Sequence, residues 1–232
     1  MVLKAPSLLR HAVSVRRMQA IDHAAIYDVG IPRLLLMEHA GLAVARAVRS
    51  CWPRRGRGHC LVLCGAGHNG GDGLAAARHL IQWGHPACVF LAGAHSRLKA
   101  EPRVYAAILA RLGVPCVSGR GRAQSPALRR AFAGAVVIVD ALLGIGLQGT
   151  VRPEHRALIE RVNASALPVV SVDVPSGLDA NTGRPQGIAV RATVTVTLGL
   201  PKRGLLTREG RRWTGRLLVD DIGIPPQLLR RR

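Results

Sequence analysis

The sequence predicts an α/β fold with a mostly parallel sheet covered by helices on both faces, on three observations. Apolar runs at 61–63, 86–93, 135–140 and 168–173 have strand length and are rich in Val, Leu and Ile. Segments with apolar residues at helical spacing separate them. The runs at 135–140 and 168–173 lack the in–out alternation of half-exposed strands, as expected when both faces of a parallel sheet are buried. At 232 residues the length suits one large domain, 1–232, with its core at about 15–224.

From the N-terminus, Ser14 caps a helix carrying Val15, Met18, Ile21 and Ala25, which closes at Gly30. Pro32 fits the first turn of a second helix with Leu35, Leu36, Ala40, Ala43 and Val44. The basic, Pro-containing stretch 51–58 reads as a surface link to strand 61–63. Gly65, Gly67, Gly70, Gly71 and Gly73 then form a glycine loop, leading into a helix with Leu74, Ala77 and Leu80. Next come a strand at 86–93, a helix at 98–112, a short strand at 114–117, a loop at 119–125 and a short helix at 126–132. Strand 135–140 ends in Asp140, loop 144–150 is glycine-rich, and a helix lies around 154–162. Strand 168–173 ends in Asp173, and 193–198 and 216–219 supply later strands.

Composition bounds the function. The chain is 48% apolar and only 3% aromatic, so its core is aliphatic, and no apolar run has the length of a membrane span. Its five cysteines show no CxxC spacing and read as buried thiols of a reducing compartment. Residues 1–18 are basic and acid-free but lack an apolar signal core, so they read as a leader into the first helix. The formal charge is +20. Its arginines are dispersed (Arg54, Arg55 and Arg57; Arg120 and Arg122; Arg129 and Arg130; Arg211 and Arg212; Arg230 to Arg232), and no aromatic residues interleave as a base-stacking surface needs. Nucleic-acid binding is therefore not the expected main function.

The chemistry concentrates in the loops. Strand, glycine turn and helix at 60–80 point backbone N–H groups and a helix N-terminus at an anion. Of the 13 acids, Asp72, Asp140 and Asp173 fall just past strand carboxyl ends, where ligands bind in such sheets. Pro175 and Gly177 make a tight turn that exposes Ser176, while Asn69 adds an amide. Acids, hydroxyl and amide on one rim suit an anionic ligand beside a small oxygen-ligated cation. Gly65, Gly67 and Gly70 also spell GxGxxG, but no acid ends the second strand to hold a ribose, which argues against a nicotinamide-dependent dehydrogenase.

Four ordered stretches, GAGHNGGDGLAAARHL, VDALLGIGLQG, VVSVDVPSGLDANTG and GLPKRGLL, resemble the NAD(P)H-hydrate epimerase family, also called the YjeF N-terminal domain or apolipoprotein A-I-binding protein family. Upstream, MQAIDHAAIYDVGIPRLLLMEHAG resembles its N-terminal helices, so the likeness runs from about Val15 to Ile224. The resemblance implies a Rossmann-like three-layer α/β/α sandwich with two N-terminal helices. It implies interconversion of the R and S hydrates of NADH and NADPH, in which water has added to C6 of the nicotinamide ring.

By the same resemblance, one potassium ion (K+) per subunit is held by Asn69, Asp140 and Ser176. The substrate is held by His68, Asn69, Gly70, Gly71 and Asp72, by Gly144, Ile145, Gly146, Leu147, Gln148, Gly149 and Thr150, and by Asp173. Breaking and remaking the C6–oxygen bond needs a group that gives and takes a proton, and Asp173 is expected to do both. Asp72 would position the loop or the nicotinamide side, and Lys202 is expected either to add charge at the rim or to be merely solvated. Ala66 and His68 stand where the family usually has Pro and Asn; His68 adds a titratable contact. A cytoplasmic homodimer is expected, working beside a separate ATP- or ADP-dependent hydrate dehydratase, for which this chain has no room. The alternative is a non-catalytic nucleotide- or RNA-binding scaffold of the same fold, which the positive charge would serve.

Overall fold

The computed structural model describes residues 11–52, 58–118 and 125–230. The leader 1–10, most of the links 51–58 and 119–125, and Arg54, Arg55, Arg57, Arg120, Arg122, Arg231 and Arg232 lie outside them.

Among the described residues, seven strands form one sheet: β1 (His59–Cys64), β2 (Ala87–Leu91), β3 (Cys116–Ser118), β4 (Ala135–Ala141), β5 (Val169–Val172), β6 (Val194–Leu198) and β7 (Arg216–Asp220). Their order is β3-β2-β1-β4-β5-β6-β7 and every pairing is parallel. The chain leaves β1 towards β2 and β3, then returns to β4 on the other side of β1. At such a reversal the crossover connections diverge and open a crevice past the strand carboxyl ends.

Both faces are covered, which is why the central strands read as unbroken apolar runs. In β1, Cys60, Val62 and Cys64 join one core cluster, and Leu61 and Leu63 join the other. The first cluster lies under α2 (Arg33–Cys51), α3 (His68–Gln82) and α4 (Ala100–Arg111). The second lies under α5 (Pro126–Ala133) and α6 (Pro153–Ala164), which contribute Leu128, Leu158 and Ile159. α2 and α3 touch backbone to backbone: a Cβ on Gly41 would stand 2.4 Å from the Ala75 Cβ.

The first helix, α1 (Val15–His23), begins as its sequence predicts, with Ser14 Oγ accepting from the Arg17 N–H at 3.2 Å. Before Gly30 it widens into a π-helical turn, Ala24–Asp28, for which the sequence carries no distinctive signal. Pro32 is the N-cap of α2 rather than a residue of its first turn. β3 sits slightly later than the expected 114–117, and three short helices escape the periodicity: α7 (Arg203–Leu206), α8 (Arg211–Thr214) and α9 (Pro226–Leu229). Elements of about one turn are too short to display a repeat.

Candidate active site

A cavity of about 920 Å³ opens at the carboxyl edge of the sheet, at the upper end of the range for small-molecule sites. Segments following β1, β2, β4, β5, β6 and β7 all contribute to its wall, and α1 closes one side with Gln19, Asp22 and Ile26.

The glycine loop supplies the floor. α3 starts at His68 with Gly67 as its N-cap and no side-chain cap, so its first N–H groups are available to a ligand. His68, Asn69 and Asp72 line the cavity. Gly70 and Gly71 do not: a Cβ on Gly70 would lie 1.9 Å from Gly65 O, and one on Gly71 would meet Met37 and Pro102. These two glycines let the backbone fold tightly under the loop. From the second loop, Gly144, Ile145, Gly146, Leu147, Gln148 and Thr150 line the cavity, whereas Gly149 takes the left-handed turn beside them at φ 70°. Arg33, Arg97, Lys99 and Arg152 also border it. These cations come from three distant parts of the chain, and the sequence offers no pattern to gather them.

Asp140 does not end its strand in solvent. It is fully buried, its Oδ2 accepting from Ser171 Oγ at 2.8 Å and the Ser176 N–H at 2.9 Å. Its Oδ1 accepts from the Ser176 hydroxyl and, at 3.4 Å, from the Leu142 N–H. Burial pushes the carboxyl upward in pKa, and these hydrogen bonds oppose the rise. No ion pair to Asp140 is found among the described residues. Ser176, expected at an exposed turn, is instead fully buried, because its hydroxyl is drawn between Asp140 and the Leu143 N–H, 2.9 Å away. The tight turn itself is present, with Gly177 at φ 89°. Asn69 packs against Gly144, where an added Cβ would lie 3.2 Å from the amide carbon, and its Nδ2 is buried without a hydrogen-bond partner.

Asp173 occupies the left-handed region at φ 64°, an uncommon position that Asp tolerates better than most residues. Its Oδ1 accepts from Lys202 Nζ, from the Leu198 N–H at 3.1 Å and from Thr197 Oγ1 at 3.3 Å. Lys202 is no solvated rim lysine. It is 1% exposed and also donates to Leu198 O at 2.7 Å. Asp72 caps nothing; it stands in the second turn of α3, and desolvation raises its pKa well above the carboxylate range, with Asp173 and Asp22 adding and Lys202 opposing. Asp22 belongs to the same group, since burial raises it to about 6. A helical pattern read from sequence treats Asp22 as one more polar position on α1, so nothing marked it. Desolvation lowers the pKa of His68, helped by Lys99 and Arg33 and opposed by Glu101, whose Oε2 is 3.7 Å away.

The profile of the family described as "YjeF-related protein N-terminus" matches residues 33–204. A protein of Limosilactobacillus fermentum named NAD(P)H-hydrate epimerase is 38% identical over 93% of this chain and 99% of its own length. One of the same name from Weissella koreensis is 39% identical over 92% of this chain and 91% of its own. A bifunctional NAD(P)H-hydrate repair enzyme of Pyrobaculum aerophilum is 46% identical over 86% of this chain, which spans only 39% of that relative's length. The crystal structure of yeast ynu0 superposes with a TM-score of 0.75 at 30% identity, over 83% of this chain and 82% of that one. In profile, sequence and fold, the chain belongs to the YjeF-related N-terminal family.

Proposed function

We propose that this protein is an NAD(P)H-hydrate epimerase, interconverting the R and S forms of hydrated NADH and NADPH. The observation that carries the reading is the Asp173–Lys202 pair facing a dinucleotide-sized cavity that the uncapped N-terminus of α3 also lines. The α3 N-terminus, with Arg33, Arg97 and Lys99 nearby, suits the diphosphate. That arrangement leaves the nicotinamide end for the acidic group Asp22, Asp72 and Asp173.

C6 of the hydrate carries a hydroxyl next to the ring nitrogen. The nitrogen lone pair expels the oxygen as the C6–O bond breaks, leaving an iminium ring. Water then adds to the other face of C6 and gives up a proton. Asp173, charge-compensated by Lys202, is suited to accept that proton as a carboxylate. Its anion also stabilises the cationic ring between the two steps.

The residues fit a monovalent cation. Asp140 is one buried carboxylate without a cationic partner among the described residues, Ser176 supplies a hydroxyl, and the Asn69 amide, whose oxygen and nitrogen exchange places by rotation, is left half unpartnered. In our reading Asn69, Asp140 and Ser176 hold K+, which would supply the missing positive charge beside the substrate loop. We also propose a cytoplasmic setting, in keeping with five free cysteines. A homodimer through the apolar corner of Tyr27, Val29, Leu34 and Leu35 would cover side chains that are otherwise exposed. The metabolic partner would be a dehydratase that consumes one epimer. The name "bifunctional" among the relatives agrees with such coupling.

Chromatography of the purified hydrates tests the reading. Exchange of R and S should speed up when the protein is added, more in potassium than in sodium buffer. Equal rates with and without protein would overturn it.

A further inference from the structure

Three carboxyls of the cavity wall, Asp22, Asp72 and Asp173, lie around one buried lysine, Lys202, and their partners suggest how the work is divided. Lys202 is committed to Asp173. Among the described residues, no hydrogen bond or ion pair reaches the carboxyl of Asp22 or that of Asp72, although both line the cavity. An unpartnered carboxyl inside a ligand cavity is free to engage a ligand.

α1 is held in place so that Asp22 reaches the cavity. The Val13 N–H donates to Pro201 O at 2.9 Å, and the Arg203 N–H returns to Val13 O at 2.9 Å, tying the start of α1 to the loop that carries Lys202. Met18 then seals against Gly199, where an added Cβ would stand 2.5 Å from the Met18 terminal methyl. Asp22 lies one turn further on, on the same stripe of the helix. The charged groups around it come from every neighbouring element: Lys202 after β6, Asp173 after β5, Asp72 on α3, Arg33 on α2 and His23 beside it.

Resting on the epimerase reading above, we propose that Asp22 is a second catalytic residue, the acid that protonates the departing C6 hydroxyl. In that step the ring-nitrogen lone pair forms the C=N bond, the C6–O electrons go to oxygen, and the Asp22 proton makes that oxygen water. When water returns to C6, its proton passes to Asp173, so one proton is given and one received and no oxidant or reductant takes part. Catalysis of the reverse epimerisation exchanges the two roles. A carboxyl raised to about 6 retains a protonated fraction near neutrality and gives up that proton readily.

Hydrate exchange measured from pH 5 to 9 on the wild-type protein, Asp22→Asn and Asp22→Glu decides the assignment. Asp22→Asn should lose roughly 100-fold in kcat with little change in KM. It should also lose the fall in rate that the wild type shows as the pH rises through about 6, while Asp22→Glu keeps that limb. An unchanged kcat and pH profile in Asp22→Asn would refute the role of Asp22 alone; no exchange by the wild type would refute the epimerase reading and this inference with it. Carboxyl 13C titration of the unaltered protein gives a check independent of any variant's folding. A midpoint near 6 supports the assignment, and one near the ordinary 3.8 overturns it.

Discussion

Lys202 reaches Asp173 from the loop after β6 and ion-pairs with it almost out of reach of solvent, the two residues being 1% and 7% exposed. Removing the lysine strands a buried carboxylate. Lys202→Met should therefore cost about 3–5 kcal/mol in urea unfolding at neutral pH. Adding Asp173→Asn to it should recover a large part of the loss, because no charge is then left unpaired. Asp173→Asn alone should lower the rate of hydrate exchange by roughly 100-fold or more.

Ser176→Ala takes a hydroxyl and its proton from Asp140 while leaving the backbone N–H in place. Stability should fall by about 1–3 kcal/mol. Thermal melts of the wild type should show a higher midpoint in potassium than in sodium chloride, and the variant should lose that difference. Equal midpoints for the wild type in both salts would argue against Asn69, Asp140 and Ser176 as a potassium site.

Two glycines of one loop should behave in opposite ways. Gly67 has an ordinary φ of −85°, and nothing lies within 4 Å of where its Cβ would be. Gly67→Ala should melt like the wild type but bind substrate more weakly, because the methyl enters the space meant for ligand. Gly70→Ala drives a Cβ to within 1.9 Å of Gly65 O and should cost about 3 kcal/mol. A KM titration paired with a melting curve separates the two effects.

Asp22 also makes stability depend on pH. Its carboxyl sits at about 6 in the folded protein, against an ordinary 3.8. The folded state thus holds the proton more tightly than the unfolded chain, and stability is lost as pH rises through that interval. The loss is at most about 3 kcal/mol, and less to the extent that water in the cavity screens the charge. Asp22→Asn should be the more stable protein at pH 7 and should flatten the slope between pH 4 and 6, as denaturation at several pH values would reveal.

Asp140 and Asp173 were legible because each ends a long apolar run, and residues at strand carboxyl ends in a parallel sheet have a known destination. The loops with His68 and Gly144 were legible for the same reason. Burial was harder to read. Ser176 looks like a turn residue until the Leu143 N–H and Asp140, more than thirty positions away, draw it inward. Lys202 follows a proline in a loop, and nothing local shows that its ammonium is drawn inward to Asp173 and Leu198 O. Asp22 gave no signal at all, because a polar residue on an amphipathic helix is the ordinary case and its neighbours Asp72 and Asp173 come from distant parts of the chain.

The wide turn at Ala24–Asp28 fixes a residue count as well as a shape. Excising Ala24, Ala25 or Ile26 would let ordinary α-helical winding resume and rotate the downstream residues by about 100° around the axis. Tyr27, its ring tilted against that of His23 with the centroids 4.6 Å apart, would then swing away from the cavity it lines. The length of this segment is therefore constrained along with its one fully buried side chain, Ala25.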